Sequence, residues 1–185
     1  LRRQRQMCIR DRSKLCIGLK CGIEPTSKEY YALMLGGCIF GGSPFSKLFT
    51  NVREKLSLAY YASVRTERFK STMFISSGIE TDKYQAAYDE ILVQFNKMKS
   101  GDITDSEVVN SKLYLTNGFN SMKDGLRTME DYYLSQAIMD NKGEIDDLIE
   151  MTNKVTKEEI VEAFNKVEID TVYFLKGCAS DGGDE

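Results

Sequence analysis

The sequence contains no histidine among its 185 residues. Histidine is the commonest general base and a frequent zinc ligand, so its absence excludes Ser/His/Asp and Cys/His arrangements within this chain. The absence also excludes any metal-binding HxxEH helix. No GxxxxGK[ST] or GxGxxG loop occurs, and no spacing of carboxylates picks out a metal site. The sequence therefore supports neither histidine-dependent hydrolysis nor nucleotide chemistry in this chain.

Prolines, long hydrophobic runs and paired cysteines are also scarce. Two prolines and a hydrophobic content of 42% argue against disorder. No run approaches the roughly 18 apolar residues of a membrane span, so we expect no membrane contact. The cysteines form neither a CxxC pair nor an even set, which disfavours a disulfide framework or a zinc ribbon. We expect free thiols in a reducing cytoplasm. The five cysteines are Cys8, Cys16, Cys21, Cys38 and Cys178.

The first twelve residues, LRRQRQMCIRDR, form a strongly basic segment. Five arginines against one aspartate give this segment a net charge of +4, so the rest of the chain sums to −7. Basic arms can bind nucleic acid or direct transit, but this one lacks interleaved aromatics, an apolar helical face and serine enrichment. We therefore expect no nucleic-acid partner. RQMCIRDR resembles translated sequencing-adapter sequence, so we expect residues 1–13 to be non-native or disordered, and the chain to be the back part of a longer protein.

Hydrophobic periodicity divides the remainder into eleven elements. The predicted elements are a strand at 15–23, helices at 28–40 and 44–56, strands at 58–69 and 71–79, helices at 81–100, 105–123, 126–139, 144–152 and 157–167, and a strand at 170–177. Ser43 is the predicted N-cap of the second helix, with Pro44 at its first position. Two capping boxes predict later helix starts. They are Thr104 with Glu107 and Thr156 with Glu159.

This order of elements predicts an α+β fold. Strands near both ends with mostly helical sequence between them indicate a mixed or antiparallel sheet that helices cover on one face. We expect a single domain over residues 14–177. The polar, acidic and glycine-containing tail, residues 178–185, is predicted to be disordered.

The stretch richest in candidate motif residues is SPFSKLFTNVREKLSLAYYASV, residues 43–64. Arg53 is predicted on the polar side of a helix end, and Tyr60 follows seven positions later in a strand. With LGG before it and SSGIE after it, this stretch resembles the carboxy-terminal domain of the insulinase-like metallopeptidases, the family of pitrilysin and mitochondrial processing peptidase. The resemblance extends from about residue 15 to 177. The spacing of Arg53 and Tyr60 alone would not identify a family. The Gly-Gly loop and the SxLFxxxRE pattern make the resemblance specific.

The resemblance implies that this chain has no catalytic residue and no metal of its own. In this family the zinc-binding HxxEH helix lies in another domain or subunit, while an Arg and a Tyr of a second domain reach the bound peptide. Arg53 and Tyr60 would thus bind a peptide or small-protein substrate, with zinc held by a partner. A guanidinium offers donors to a carbonyl or carboxylate, and a phenol can donate to a carbonyl that gains charge. A nearby strand edge can bind an extended peptide by strand addition.

Ser57 departs from the pattern of the active members. They usually have glycine at this position, so SLAYY stands here in place of GLAY. The motifs SLAYY and SKLFTNVREK are together most similar to those of a non-catalytic bacterial subgroup of the family. The resemblance therefore implies an inactive partner of an HxxEH-bearing homologue.

Other functions stay open from the sequence. The family also includes inactive core subunits of respiratory complexes, so the chain could be a purely structural assembly module, or a binding module unrelated to peptides. Arg53 could pair with a neighbouring carboxylate or lie in solvent. Tyr60, on the predicted strand face of Ala62 and Val64, could be an ordinary core aromatic. An open concave surface at Arg53 and Tyr60 would favour peptide contact, and a buried position would favour assembly.

Overall fold

A four-stranded antiparallel sheet forms the base of the fold, in the order β2-β3-β1-β4. The strands are β1 (Ser13–Lys20), β2 (Ala59–Glu67), β3 (Thr72–Ile79) and β4 (Glu168–Leu175). In β1, Leu15, Ile17 and Leu19 are buried, whereas Lys14 and Lys20 are exposed. Because side chains alternate across a strand, this pattern gives the sheet one core face and one outer face.

The computed structural model describes residues 13–177. The expected basic segment and the expected disordered tail lie outside this range, except for Ser13. This residue was predicted to belong to the basic segment, but it is the buried first residue of β1. Its hydroxyl lies 2.7 Å from Thr81 Oγ1 and accepts a hydrogen bond of 3.0 Å from the Gly177 amide. The described part of β1 therefore includes one residue before the predicted domain boundary at residue 14.

Six α-helices accompany the sheet in the described part of the chain, and five of them lie between β3 and β4. They are α1 (Glu29–Gly37), α2 (Tyr84–Ser100), α3 (Asp105–Met122), α4 (Leu126–Ile138), α5 (Ile145–Lys154) and α6 (Lys157–Lys166). Two π-helical segments add to these, Cys38–Gly42 and Phe49–Lys55. Both predicted capping boxes are present, at the starts of α3 and α6. The predicted α+β fold and its element order are confirmed.

The main core lies between the sheet and helices α1, α2 and α6. Three aromatic rings meet there: Phe40 and Phe164 are 5.9 Å apart edge to face, and Phe95 lies 5.9 Å from Phe40. Gly36 permits this packing, because a Cβ on it would come within 2.4 Å of the Phe164 ring. A second, smaller cluster joins α3, α4 and α5.

The predicted helix over 44–56 is wrong at its start. Ser43 to Ser46 form a turn closed by a 3.2 Å hydrogen bond from Ser46 N to Ser43 O, with Pro44 in the second position, where proline suits a turn. Helical structure begins only at Lys47 and is mostly π-helical. Lys47 is buried in this segment, and its ammonium pairs with Glu107 of α3 at 2.9 Å.

Candidate functional site

Arg53 lies on the exposed side of the π-helical segment Phe49–Lys55, as predicted. Val52, one residue earlier, is fully buried and holds the segment against the core. The Arg53 guanidinium carbon lies 4.6 Å from the centre of the Phe49 ring, a cation–π contact that restricts the side chain. It makes no ion pair within residues 13–177. Its donors therefore remain available to a ligand.

A tight junction joins the π-helical segment to β2. The amides of Leu56 and Leu58 donate to the carbonyls of Asn51 and Val52, at 3.2 and 2.9 Å. Ser57 between them has a φ of 49°, in the left-handed region. A residue with a Cβ is disfavoured in this conformation and glycine is not. The glycine expected at this position in active family members therefore has a structural reason, and serine strains the backbone here.

Ser57→Gly is expected to stabilise the chain by about 0.5–1 kcal/mol, because the relief of left-handed strain exceeds the added entropy of glycine in the unfolded state. For a chain of this size the melting temperature should rise by about 1–4 °C. Thermal unfolding followed by circular dichroism measures it.

Ser71 is the matched control for that substitution, since its φ is also 49°. Its hydroxyl, however, donates to the Ile23 carbonyl at 2.6 Å and accepts from the Ile23 amide at 3.0 Å. Ser71→Gly should therefore lower the melting temperature. A fall for Ser57→Gly as well would show that the Ser57 backbone is not strained.

Tyr60 lies in a β-bulge at the start of β2. Ala59 pairs with Ile79 and Tyr61 with Gly78, so Tyr60 is the extra residue between two ladder positions. Its side chain is 44% exposed, whereas Ala62 is buried. Tyr60 is thus not a core aromatic. Strand alternation placed it on the same face as the buried Ala62, but the bulge shifts the alternation at Tyr60.

Glu80 and Lys83 follow β3 and meet Tyr60. The Tyr60 hydroxyl donates to Glu80 Oε1 at 3.0 Å, and Lys83 Nζ lies 3.0 Å from Glu80 Oε2. Lys83 also donates to the Ser57 carbonyl at 3.4 Å. Hydrogen bonds from Lys83 and Tyr60 hold the pKa of Glu80 below its usual range, and the bond to Glu80 raises the pKa of Lys83.

These groups line one concave pocket of about 430 Å³. The predicted residues Arg53 and Tyr60 both belong to it, with Glu80, Lys83 and the junction residues 57–59. Glu80 and Lys83 were not predicted as site residues. Glu80 ends the SSGIE stretch that contributed to the family resemblance, and this was the only signal for it. Lys83 has no sequence signal, because only the turn after β3 brings it to Ser57.

The donors of the described residues do not fit a catalytic zinc ion. Histidine is absent from the sequence, and no group of three or more Cys, Asp or Glu within residues 13–177 is arranged to hold a metal. Histidine, the usual nitrogen ligand of catalytic zinc, would have to come from elsewhere.

No helix within residues 13–177 is both long and apolar enough to cross a membrane.

Comparison with known proteins assigns the family. Residues 3–115 match the family model described as the peptidase M16 inactive domain. The chain is 39% identical over 164 residues to "Probable inactive metalloprotease YmfF" of Bacillus subtilis (strain 168). This chain belongs to the M16 peptidase family, as an inactive domain. The insulinase-like resemblance and its non-catalytic character are thereby confirmed.

Solved structures share the fold of this chain. A conserved protein from Enterococcus faecalis V583 superposes with a TM-score of 0.84 at 32% identity, over 90% of this chain and 39% of that one. The peptidase M16 inactive domain from Pseudomonas fluorescens superposes with a TM-score of 0.76 at 16% identity, over 94% of this chain and 43% of that one. The matched part of YmfF is likewise 89% of this chain but 38% of that protein. The chain thus spans about two fifths of the length of these relatives.

Proposed function

We propose that this chain is the non-catalytic part of an M16 assembly and that its pocket contacts peptide substrate through Arg53 and Tyr60. A partner domain or subunit bearing the HxxEH helix would hold the zinc ion. The observation that carries the proposal is the shared pocket: residues seven positions apart in sequence lie on one open concave surface. The three cysteines of the described range are free thiols, which agrees with a cytoplasmic location.

The chemistry of the pocket suits an extended peptide. Arg53 and Lys83 offer donors for peptide carbonyls or a carboxylate, and the Tyr60 oxygen offers an acceptor for a peptide amide. The adjoining strand β2 is an edge of the sheet, so its outer backbone groups face no other strand of residues 13–177. A peptide could pair with that edge and place its side chains at the pocket.

A purely structural role is the alternative. The exposure of Tyr60 and the position of the Arg53 guanidinium at the same pocket favour peptide contact over it, because an assembly module has no need to keep these groups at an open concavity. The outer parts of α4 are also apolar and exposed, with Leu126, Leu134 and Ile138 all more than half accessible. Such a surface agrees with a partner in the assembly, whichever role the pocket has.

Arg53→Ala is expected to weaken binding of a fluorescein-labelled, unstructured 20-residue peptide by about tenfold, because charge-assisted hydrogen bonds are lost. Fluorescence anisotropy with the 185-residue chain gives the dissociation constant. Arg53 is exposed, so the variant should keep the wild-type melting temperature.

Lys55→Ala is the matched control. Lys55 is an exposed cation of the same segment, its ammonium donates to Asn51, and it lies outside the pocket. Its substitution removes the same charge and should change affinity less than about twofold. Equal effects of the two substitutions, or no binding by the wild-type chain, would contradict the proposed peptide contact.

A further inference from the structure

The hydrogen-bond direction at Tyr60 limits what this residue can offer a ligand. A phenol has one O–H donor and two acceptor lone pairs. In the structure its hydroxyl donates to Glu80 Oε1 at 3.0 Å. Any further hydrogen bond of the Tyr60 oxygen is therefore one that it accepts.

Glu80 cannot reverse this direction while it is ionised, because a carboxylate only accepts. Its second oxygen is 3.0 Å from Lys83 Nζ, so both carboxylate oxygens have donors. A glutamate is ionised at neutral pH, and these donors hold the pKa of Glu80 still further below its usual range. Lys83 in turn reaches the Ser57 carbonyl at 3.4 Å, so the arrangement is tied to the junction before β2.

We propose that Glu80 is a positioning residue that holds the proton of the Tyr60 hydroxyl toward its own carboxylate. The phenol oxygen then presents its lone pairs to the peptide and accepts a hydrogen bond from a backbone N–H of the bound peptide. The pocket then has two sides of opposite character. Arg53 donates to a peptide carbonyl or carboxylate, and the phenol oxygen accepts from a peptide amide. This inference rests on the proposed function, since it assumes a peptide in the pocket.

This orientation differs from what the family resemblance implied for the tyrosine. A phenol that stabilises a carbonyl oxygen gaining charge must direct its proton at that oxygen. Here the proton is directed at Glu80 instead. The tyrosine is thus set to hold a peptide and not to stabilise a transition state, which agrees with a non-catalytic domain.

The first test uses the unliganded chain and does not depend on peptide binding. Nuclear magnetic resonance of ¹³Cζ-labelled tyrosine reports the hydrogen-bonding state of each phenol. Glu80→Ala should shift the Tyr60 signal, and Glu80→Gln should restore it in part, because an amide oxygen can still accept. Glu54→Ala is the matched control: Glu54 is exposed and next to Arg53, but it does not line the pocket. A Tyr60 signal that is the same in Glu80→Ala and wild type would overturn the inference.

The second test is a double-mutant cycle with the same fluorescein-labelled peptide. Tyr60→Phe removes the acceptor and should weaken binding about three- to tenfold. Glu80→Ala should weaken binding about threefold when Tyr60 is present and not at all when it is combined with Tyr60→Phe, because Glu80 acts through the phenol. Additive effects would overturn the inference, since Glu80 would then contact the peptide directly.

The two tests separate the inference from the proposed function. If Arg53→Ala and Tyr60→Phe both bind the peptide as wild type does, peptide contact at this pocket is wrong. The Glu80–Tyr60 orientation would still be decided by the ¹³Cζ signal. If the signal shifts and the cycle is non-additive, both are supported.

Discussion

Gly36→Ala is expected to destabilise the chain by about 2 kcal/mol, although alanine is the better helix former. The added Cβ would lie 2.4 Å from one carbon of the Phe164 ring and 3.0 Å from Ile160 Cγ2, both in fully buried side chains. Overpacking costs about 1–3 kcal/mol, and a 2.4 Å approach to a fully buried ring places this case at the upper end, about 3 kcal/mol. The helix-propensity gain of about 1 kcal/mol then leaves a net loss of about 2 kcal/mol. The melting temperature should fall by about 4–8 °C.

Gly118→Ala is the matched control within helix α3. A Cβ there would meet nothing within 4 Å, so only the propensity gain applies. Its melting temperature should rise by about 2–4 °C. If Gly36→Ala were as stable as Gly118→Ala, the close packing of α1 on α6 would be wrong.

Lys47→Met is expected to destabilise the chain by about 2–3 kcal/mol at about pH 7. The Lys47 ammonium is buried and lies 2.9 Å from Glu107, whose side chain is 23% exposed. Methionine keeps most of the volume but leaves the carboxylate without its cation, and breaking a buried pair in this way is costly. Chemical denaturation measures the free energy of unfolding. The double variant Lys47→Met/Glu107→Gln should recover part of the loss, and a loss as large as in the single variant would contradict the ion-pair explanation.

The same pair predicts a pH dependence. Burial opposes the ionisation of Glu107, but hydrogen bonds from Lys47 and the Thr104 amide outweigh it and lower the pKa of Glu107. Because the pKa of Glu107 is lower in the folded state than in the unfolded state, its ionisation stabilises the fold at pH values above the ordinary glutamate pKa of about 4.3. This stabilisation is lost as the pH falls through the folded-state pKa. The stability difference between wild type and Lys47→Met should therefore narrow below about pH 4. A difference that stays constant with pH would show that Glu107 is not involved.

Local signals in the sequence were sufficient for most of the fold. Strand alternation gave β1, and the capping boxes at Thr104 and Thr156 gave the starts of α3 and α6. The predicted helix start at Ser43 was wrong because Pro44 suits the second position of a turn as well as the first position of a helix. The burial of Lys47 could not be predicted, since its partner Glu107 lies on a different helix, far along the chain.

The site was predictable only in part. Arg53 and Tyr60 were predicted as site residues from the insulinase-like resemblance. The exposure of Tyr60, however, depends on a bulge that strand alternation does not reveal. Glu80 and Lys83 enter the pocket because β3 pairs with β2 and ends beside it. These contacts depend on how β3 pairs with β2 in the folded sheet, and the sequence around Glu80 and Lys83 does not reveal that pairing.

The proposed function depends on peptide binding at the pocket of Arg53 and Tyr60. Titration of the ¹⁵N-labelled chain with the same 20-residue peptide locates this binding, because each backbone amide reports a contact nearby. We predict that the largest shift changes fall on residues 53–60 and 80–83. Changes confined to another concavity, such as the one of about 440 Å³ between Tyr133 and Glu144, would contradict it.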